Sequence, residues 1–310
     1  MSGLDEIDWR ILDELGENCR ISYRELAKRV GLSTSGVMNR VALMREDGMI
    51  QCFFVIPSST MIGAEGYAAI IHTDASENVN EFIDQVGGLQ ERIMLGELAS
   101  TKGRTYFTTG QFIGLARLGE IGRYLRSLSG VDEVEIHPLK RMSVTKGKKM
   151  DLTRHHLLVL RSLLKDARKP IHEIADETGL SRKRVRRVLQ ELMESGAFRF
   201  SVRSHPSRKR MTEVIIKAEY NDYDVSYHEF EKAIQNGENT GIFDVFYSTI
   251  GPVAFAWFYC KDIQDANEVA RDLSSAAFVN HATTFLFRST WKYPWLAEYK
   301  LKEMVESIRE

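Results

Sequence analysis

Arg182, Lys183, Arg186 and Arg187 stand one and four positions apart, the spacing that gathers side chains on one side of a helix. Four cations on one helical face bind phosphates, and a guanidinium aimed into a groove reads the O6 and N7 acceptors of guanine. The charges are of one sign, and no acidic partners are expected one turn on. Arg199, Arg203, Arg208, Lys209 and Arg210 follow closely. Residues 154 to 210 carry 15 Lys and Arg against 6 Asp and Glu, a net charge of +9. A second set, Thr34, Ser35, Met38 and Asn39, offers hydroxyl, thioether and amide groups suited to base edges. Residues 4 to 56 carry 7 basic against 9 acidic residues, a net charge of -2. A solvated surface is the plain alternative for the basic face. A protein-contact module is the alternative for the acidic region.

Both sets need a helix held outward. Ile21 to Val30 reads as a helix opened by Ser22 and Glu25 as a capping box. Gly31 supplies a left-handed turn, and Ser33 caps the next helix, which buries Val37, Val41 and Met44. That is a helix-turn-helix. Ile171 to Ser181 repeats it, with Val185, Leu189 and Leu192 inward. Ser33 and Ser181 are 148 residues apart, as are Gly48 and Gly196, and Ser100-Thr101-Lys102-Gly103 and Ser248-Thr249-Ile250-Gly251. A constant offset over most of the chain marks a tandem duplication. In each copy, helices and a strand make a winged helix-turn-helix, followed by a β-α-β-β-α-β series of ferredoxin-like type.

The expected class is α+β. The expected divisions are a winged helix-turn-helix over 1–63, a ferredoxin-like domain over 64–139 and a basic linker over 140–150. A second winged helix-turn-helix follows over 151–211, a second ferredoxin-like domain over 212–290 and a C-terminal helix over 291–310. The apolar side of that helix, Ala297, Leu301, Met304, Val305 and Ile308, is expected to pack on its own domain, with a partner surface as the sharper alternative.

The chain has 310 residues, 43% hydrophobic and 27% charged, which suits a folded protein of two or more domains. Its net charge of -1 leaves nucleic-acid attraction to local patches. Cys19, Cys52 and Cys260 are far apart and read as reduced thiols of a cytoplasmic protein. No metal-ligand spacing, signal peptide or membrane-length apolar run is present, so neither metal, cofactor nor membrane is expected.

Leu4-Asp5-x-x-Asp8-x-x-Ile11-Leu12, the run Arg20 to Ser33, and Arg40-Val41-x-x-Met44-x-x-x-Gly48-Met49-Ile50 together resemble the Lrp/AsnC family of transcription regulators. The resemblance continues more loosely through Met61-Ile62-Gly63 and the following domain, and more weakly through the second copy. It implies DNA binding by the winged helices, pairing through the effector sheets, and an effector in a cleft between them. The family's Gly-x-x-Asp turn is replaced by Gly103-Arg104-Thr105-Tyr106 and Gly251-Pro252-Val253-Ala254, which tells against amino-acid binding in the family's manner. Ser100, Thr101, Gly103, Ser248, Thr249 and Gly251 are the candidate effector contacts, against the plain reading of ordinary turns.

The expected function is a sequence-specific, DNA-binding transcription regulator acting as a covalent pseudo-dimer. Its partner is double-stranded DNA, with a small-molecule effector and homo-oligomerisation left open. The two sheets are expected to pack on each other, with the winged helices at opposite ends reading an asymmetric site. Siroheme decarboxylases share the architecture, but their Tyr-Asn strand pattern is missing from Arg104 to Thr109 and from Pro252 to Phe258. No nucleophile elbow or phosphate loop appears, and the chain is expected not to be an enzyme. A purely architectural DNA-binding protein is the further alternative.

Overall fold

The computed structural model describes residues 5–100, 103–141, 147–204, 212–221, 225, 227–234, 241–260 and 262–307. The fold is mixed α/β, and the chain divides into two compact units. One comprises 1–62, 146–209 and 297–310; the other comprises 63–145 and 210–296.

In the first unit, α1 (Glu6–Glu17), α2 (Tyr23–Val30), α3 (Thr34–Glu46) and β1 (Ile50–Pro57) form one winged helix-turn-helix. A short α4 (Ser59–Ile62) follows. The second is α7 (Arg154–Leu163), α8 (Ile171–Thr178), α9 (Arg182–Glu194) and β6 (Phe198–Ser204). Asp5 and Asp8 close a reciprocal capping box on α1. Ser22 accepts the Glu25 amide, but the Glu25 carboxylate turns to Arg29 and Lys28. The expected box on α2 is therefore one-sided, because nearby cations offer that carboxylate a stronger partner than an amide.

The two winged helices are not at opposite ends. A single strand from each copy leaves backbone groups unpaired, and β1 and β6 satisfy them by pairing antiparallel with each other. Phe53 faces Val202 and Phe54 faces Ser201. Less the 148-residue offset, Val202 and Ser201 become positions 54 and 53, so a local twofold runs between Phe53 and Phe54. The residues after the first helix of each copy repeat this symmetry. Arg20 Nη1 donates to the carbonyls of Ala167 (2.6 Å) and Lys169 (3.2 Å). Arg168 Nη1 donates to those of Cys19 and Ile21, the latter at 3.0 Å. One apolar core runs through both copies, from Ile11, Val37 and Val41 to Leu163, Val185 and Leu192.

The C-terminal helix, α12 (Leu296–Glu306), adds Leu301 and Val305 to that core. Its expected packing on the preceding ferredoxin-like domain is thus corrected. An amphipathic stripe requires an apolar neighbour but does not say which one. Glu298 adds an ion pair to Arg203 at 2.6 Å.

The second unit holds two sheets. β2 (Glu65–Thr73), α5 (Val79–Gly87), β3 (Arg92–Leu98), β4 (Arg104–Phe112), α6 (Leu115–Arg126) and β5 (Val131–Arg141) give the antiparallel order β5-β2-β4-β3. β7 (Thr212–Tyr220), α10 (Tyr227–Ile234), β8 (Gly241–Ser248), β9 (Val253–Cys260), α11 (Ile263–Ser275) and β10 (Val279–Lys292) give β10-β7-β9-β8. Lys140 and Arg141, assigned to the linker, extend β5; residues 142–146 lie outside the described residues.

The sheets join edge to edge. β5 pairs with β8 and β10 with β3, so the eight strands close into a barrel without a free edge. Alternation along the strands separates two faces. Tyr67, Ala69 and Ile71 turn to the helical layer, whereas Ala68, Ile70, Phe107, Phe255 and Trp257 fill the lumen. Eight strands leave a lumen that side chains can fill.

Candidate nucleic-acid interface

In both copies the recognition helix is set by local chemistry. Gly31 and Gly179 lie at φ +74° and +69°, where an L side chain would be strained. Ser33 Oγ then accepts the Gly36 amide at 3.0 Å, and Ser181 Oγ accepts the Arg184 amide at 3.2 Å. Burial of Val37, Val41 and Met44 turns Thr34, Ser35, Met38 and Asn39 to solvent. Burial of Val185, Val188, Leu189 and Leu192 likewise exposes Arg182, Lys183, Arg186 and Arg187.

The basic face is not wholly without acidic partners, as its spacing suggested. Arg187 Nε donates to Glu191 Oε1, one turn on, at 2.8 Å. The other oxygen of Glu191 is 3.0 Å from Nε2 of the buried His156 in α7. These two hydrogen bonds, Arg187 first, hold the Glu191 carboxyl below its ordinary range. On α3, Arg40 instead reaches back to Asp5 (2.7 Å) and Asp8 (2.8 Å), anchoring that helix to α1. Arg199 and Arg203 sit half-buried on β6. The Arg203 guanidinium pairs with Glu298 and lies 5.1 Å over the Phe54 ring. Arg208, Lys209 and Arg210 lie outside the described residues.

The candidate effector turns are described to different extents. Gly103 lies at φ +61°, with the Thr73 carbonyl where its Cβ would be. Ser100 is described, and Thr101 lies outside the described residues. Ser248 Oγ is 2.9 Å from His137 Nδ1, and the Thr249 amide and hydroxyl donate to the Pro138 carbonyl. Ser248 and Thr249 thus close the β5–β8 seam, while a Cβ at Gly251 would meet open space.

A cluster inside the barrel escaped the sequence reading. His137 Nε2 is 2.8 Å from Glu135 Oε1, which also accepts from Lys217 Nζ at 2.5 Å. The His137 bond first, and Lys217 after it, outweigh burial and hold the Glu135 carboxyl down at about 2. Glu135 and His137 share one face of β5, and that i, i+2 spacing was visible. Lys217 and Ser248 reach them only through barrel closure. Burial pushes the Cys19 thiol up to about 12 and Cys260 up to about 11, so neither is a ready nucleophile. Among the described residues no His, Cys, Asp and Glu group could hold a metal, and no helix is long and apolar enough to cross a membrane.

A sequence profile described as winged helix-turn-helix DNA-binding matches residues 4–51 and 152–198, one stretch in each copy. The HTH-type transcriptional regulator Ptr1 of Methanocaldococcus jannaschii is 31% identical over 109 residues, 35% of this chain and 67% of that protein. An uncharacterized HTH-type transcriptional regulator of Pyrococcus abyssi is 39% identical over 74 residues, 24% of this chain; the match spans about half of that relative, 47% of its length. Among solved structures, siroheme decarboxylase NirDL has a similar fold, with a TM-score of 0.64 at 15% identity, covering 98% of this chain and 99% of its own.

That last likeness corrects the expectation that the chain is not an enzyme, since the fold shared over nearly its whole length is also the fold of one. Local motifs carry only the chemistry of neighbours in sequence. The barrel joins Glu135, His137, Lys217 and Ser248 from distant strands.

Proposed function

Because the chain belongs to the HTH-type transcriptional regulators, we propose that it is a sequence-specific regulator of Lrp/AsnC type acting as a covalent pseudo-dimer on double-stranded DNA. The observation that carries this reading is the pairing of β1 with β6, flanked by the reciprocal Arg20 and Arg168 hydrogen bonds. It holds two recognition helices in one unit, as a DNA-binding dimer would. Thr34, Ser35, Met38 and Asn39 are proposed to meet one half-site, and Arg182, Lys183, Arg186 and Arg187 the other. Unlike faces favour an asymmetric operator over a perfect palindrome.

The strand orders β5-β2-β4-β3 and β10-β7-β9-β8 support reading the second unit as two ferredoxin-like domains that take the place of a dimer's two effector sheets. Of the effector candidates, Ser248 and Thr249 are committed to the seam, which tells against an effector contact there. The proposed place of action is the cytoplasm. Selection of bound duplexes from genomic DNA, followed by footprinting, tests the reading. A single protected asymmetric site per chain is expected, and binding without sequence preference would leave only an architectural role.

A second reading is favoured by the shared fold over 98% of the chain and by the polar cluster in the lumen. In it the barrel acts on a siroheme-like tetrapyrrole. Absorbance titration with siroheme, followed by product analysis, tests it; a bound, unconverted spectrum leaves a ligand but no enzyme.

A further inference from the structure

We infer that Arg187 is the guanine-reading side chain of the second recognition helix and that Glu191, held by His156, is its positioning residue. The inference rests on the DNA-binding reading above and adds which base edge is read, and by what. The relay begins in α7. The backbone N–H of Thr153 donates to His156 Nδ1 at 3.0 Å, so the ring's proton is on Nε2. Nε2–H therefore donates to Glu191 Oε2 at 3.0 Å, and the buried imidazole fixes that carboxylate. Glu191 Oε1 in turn receives Arg187 Nε at 2.8 Å.

That bond uses the inner nitrogen of the guanidinium and leaves its two terminal nitrogens outside it. Two parallel N–H donors match the O6 and N7 acceptors of guanine in the major groove. A side chain already held in place loses less freedom on binding than a free one. Arg182, Lys183 and Arg186 are exposed on the same helix, and none of them is four residues before an acid. They suit phosphates, where position matters less than charge.

The equivalent positions in the first copy are Asn39, Leu43 and Asp8. Leu43 is 58% exposed and Asp8 is taken by Arg40, so α3 has no such relay. The guanine preference should therefore fall in one half-site only.

The test uses the full chain and a random-sequence duplex pool, with the selected site then remade with each base substituted in turn. R187A and E191A should each lower discrimination for one G·C pair by about tenfold or more. E191A leaves the Nε2–H of the buried His156 without its acceptor and should lower the melting temperature, so the readout is the ratio of affinities for the G·C site and its substituted versions, which a loss of folded protein does not change. E191Q keeps an acceptor for Arg187 and should restore part of the discrimination. R182A should weaken all sequences alike. If the wild type binds DNA and R187A and E191A keep its base preferences, the relay is not a reader and this inference fails while DNA binding stands. If the wild type binds no duplex, both fail together.

Discussion

Helices α3 and α9 hold equivalent places in a repeated unit, begin with the same serine cap after the same left-handed glycine, and bury the same side. Their outward faces share almost nothing. One presents Thr34, Ser35, Met38 and Asn39 and is tied to its neighbour by Arg40; the other carries the basic row and a carboxylate relay from His156. Duplication preserved what the fold demands, namely caps, turn and core. It did not preserve what a ligand demands. Wherever the copies agree, the reason lies in the scaffold, and wherever they part, the reason is sought in what each face meets.

The scaffold side of this comparison breaks first at the clasp. Replacing both Arg20 and Arg168 by Ala removes charge-assisted hydrogen bonds to four carbonyls and should cost about 4 kcal/mol of unfolding free energy. The single replacements should cost similar amounts, about 2 kcal/mol each, if the twofold is energetically real. Urea unfolding measures both, and a large inequality would show that one copy carries the interface.

The barrel sharpens the contrast between copies. Residues 148 positions after Glu135 and His137 are Thr283 and Phe285, so the second copy does not repeat this carboxylate–imidazole pair. The Glu135 carboxyl is depressed from 4.5 to about 2 in the folded chain. Its contribution is therefore present above the unfolded value and is lost as pH falls through the folded one. We expect about 2 kcal/mol at neutral pH, discounted for a side chain still 31% exposed. Glu135→Gln should abolish that acid-dependent loss in thermal melts between about pH 4.5 and 2.

The ligand side breaks at the basic row. Replacing Arg182, Lys183, Arg186 and Arg187 together by Ala should weaken duplex binding well over tenfold and flatten its salt dependence. The matching set, Thr34, Ser35, Met38 and Asn39 to Ala, should alter sequence preference in the other half-site with little change in salt slope. Equal salt effects in binding titrations would erase the proposed division of labour. The smallest effect is expected at Arg203→Ala. Its guanidinium is held by Glu298 and lies over Phe54 in the strand pair, so the change should cost about 1 kcal/mol of stability while DNA affinity changes hardly at all.

What was legible in the sequence follows the range of the forces. Caps, the glycine turns and the apolar stripes of α3 and α9 act within a few residues, and the sequence reading placed them correctly. The partner of β1 was not legible, because a strand's sequence says that it must pair but not with which strand. The winged helices were for that reason expected apart. The same gap hid the destination of α12: the stripe of Ala297, Leu301 and Val305 was plain, its neighbour was not. Glu191, four residues after Arg187, needed no structure to be found. Its tie to the buried His156, 35 positions earlier, is the part that only the fold supplies.

The strand pair at the local twofold has a genetic consequence. When two identical chains meet across a dyad, every substitution is made twice, and a change that suits one side is imposed on the other. Here Phe53 faces Val202 and Phe54 faces Ser201, so the two sides of the axis are separate codons. Each can drift, or be selected, alone. The stoichiometry of the halves is fixed at synthesis, cannot be diluted apart, and admits no exchange with a sister molecule's half. A symmetric partnership has become a heritable asymmetric one without a second gene.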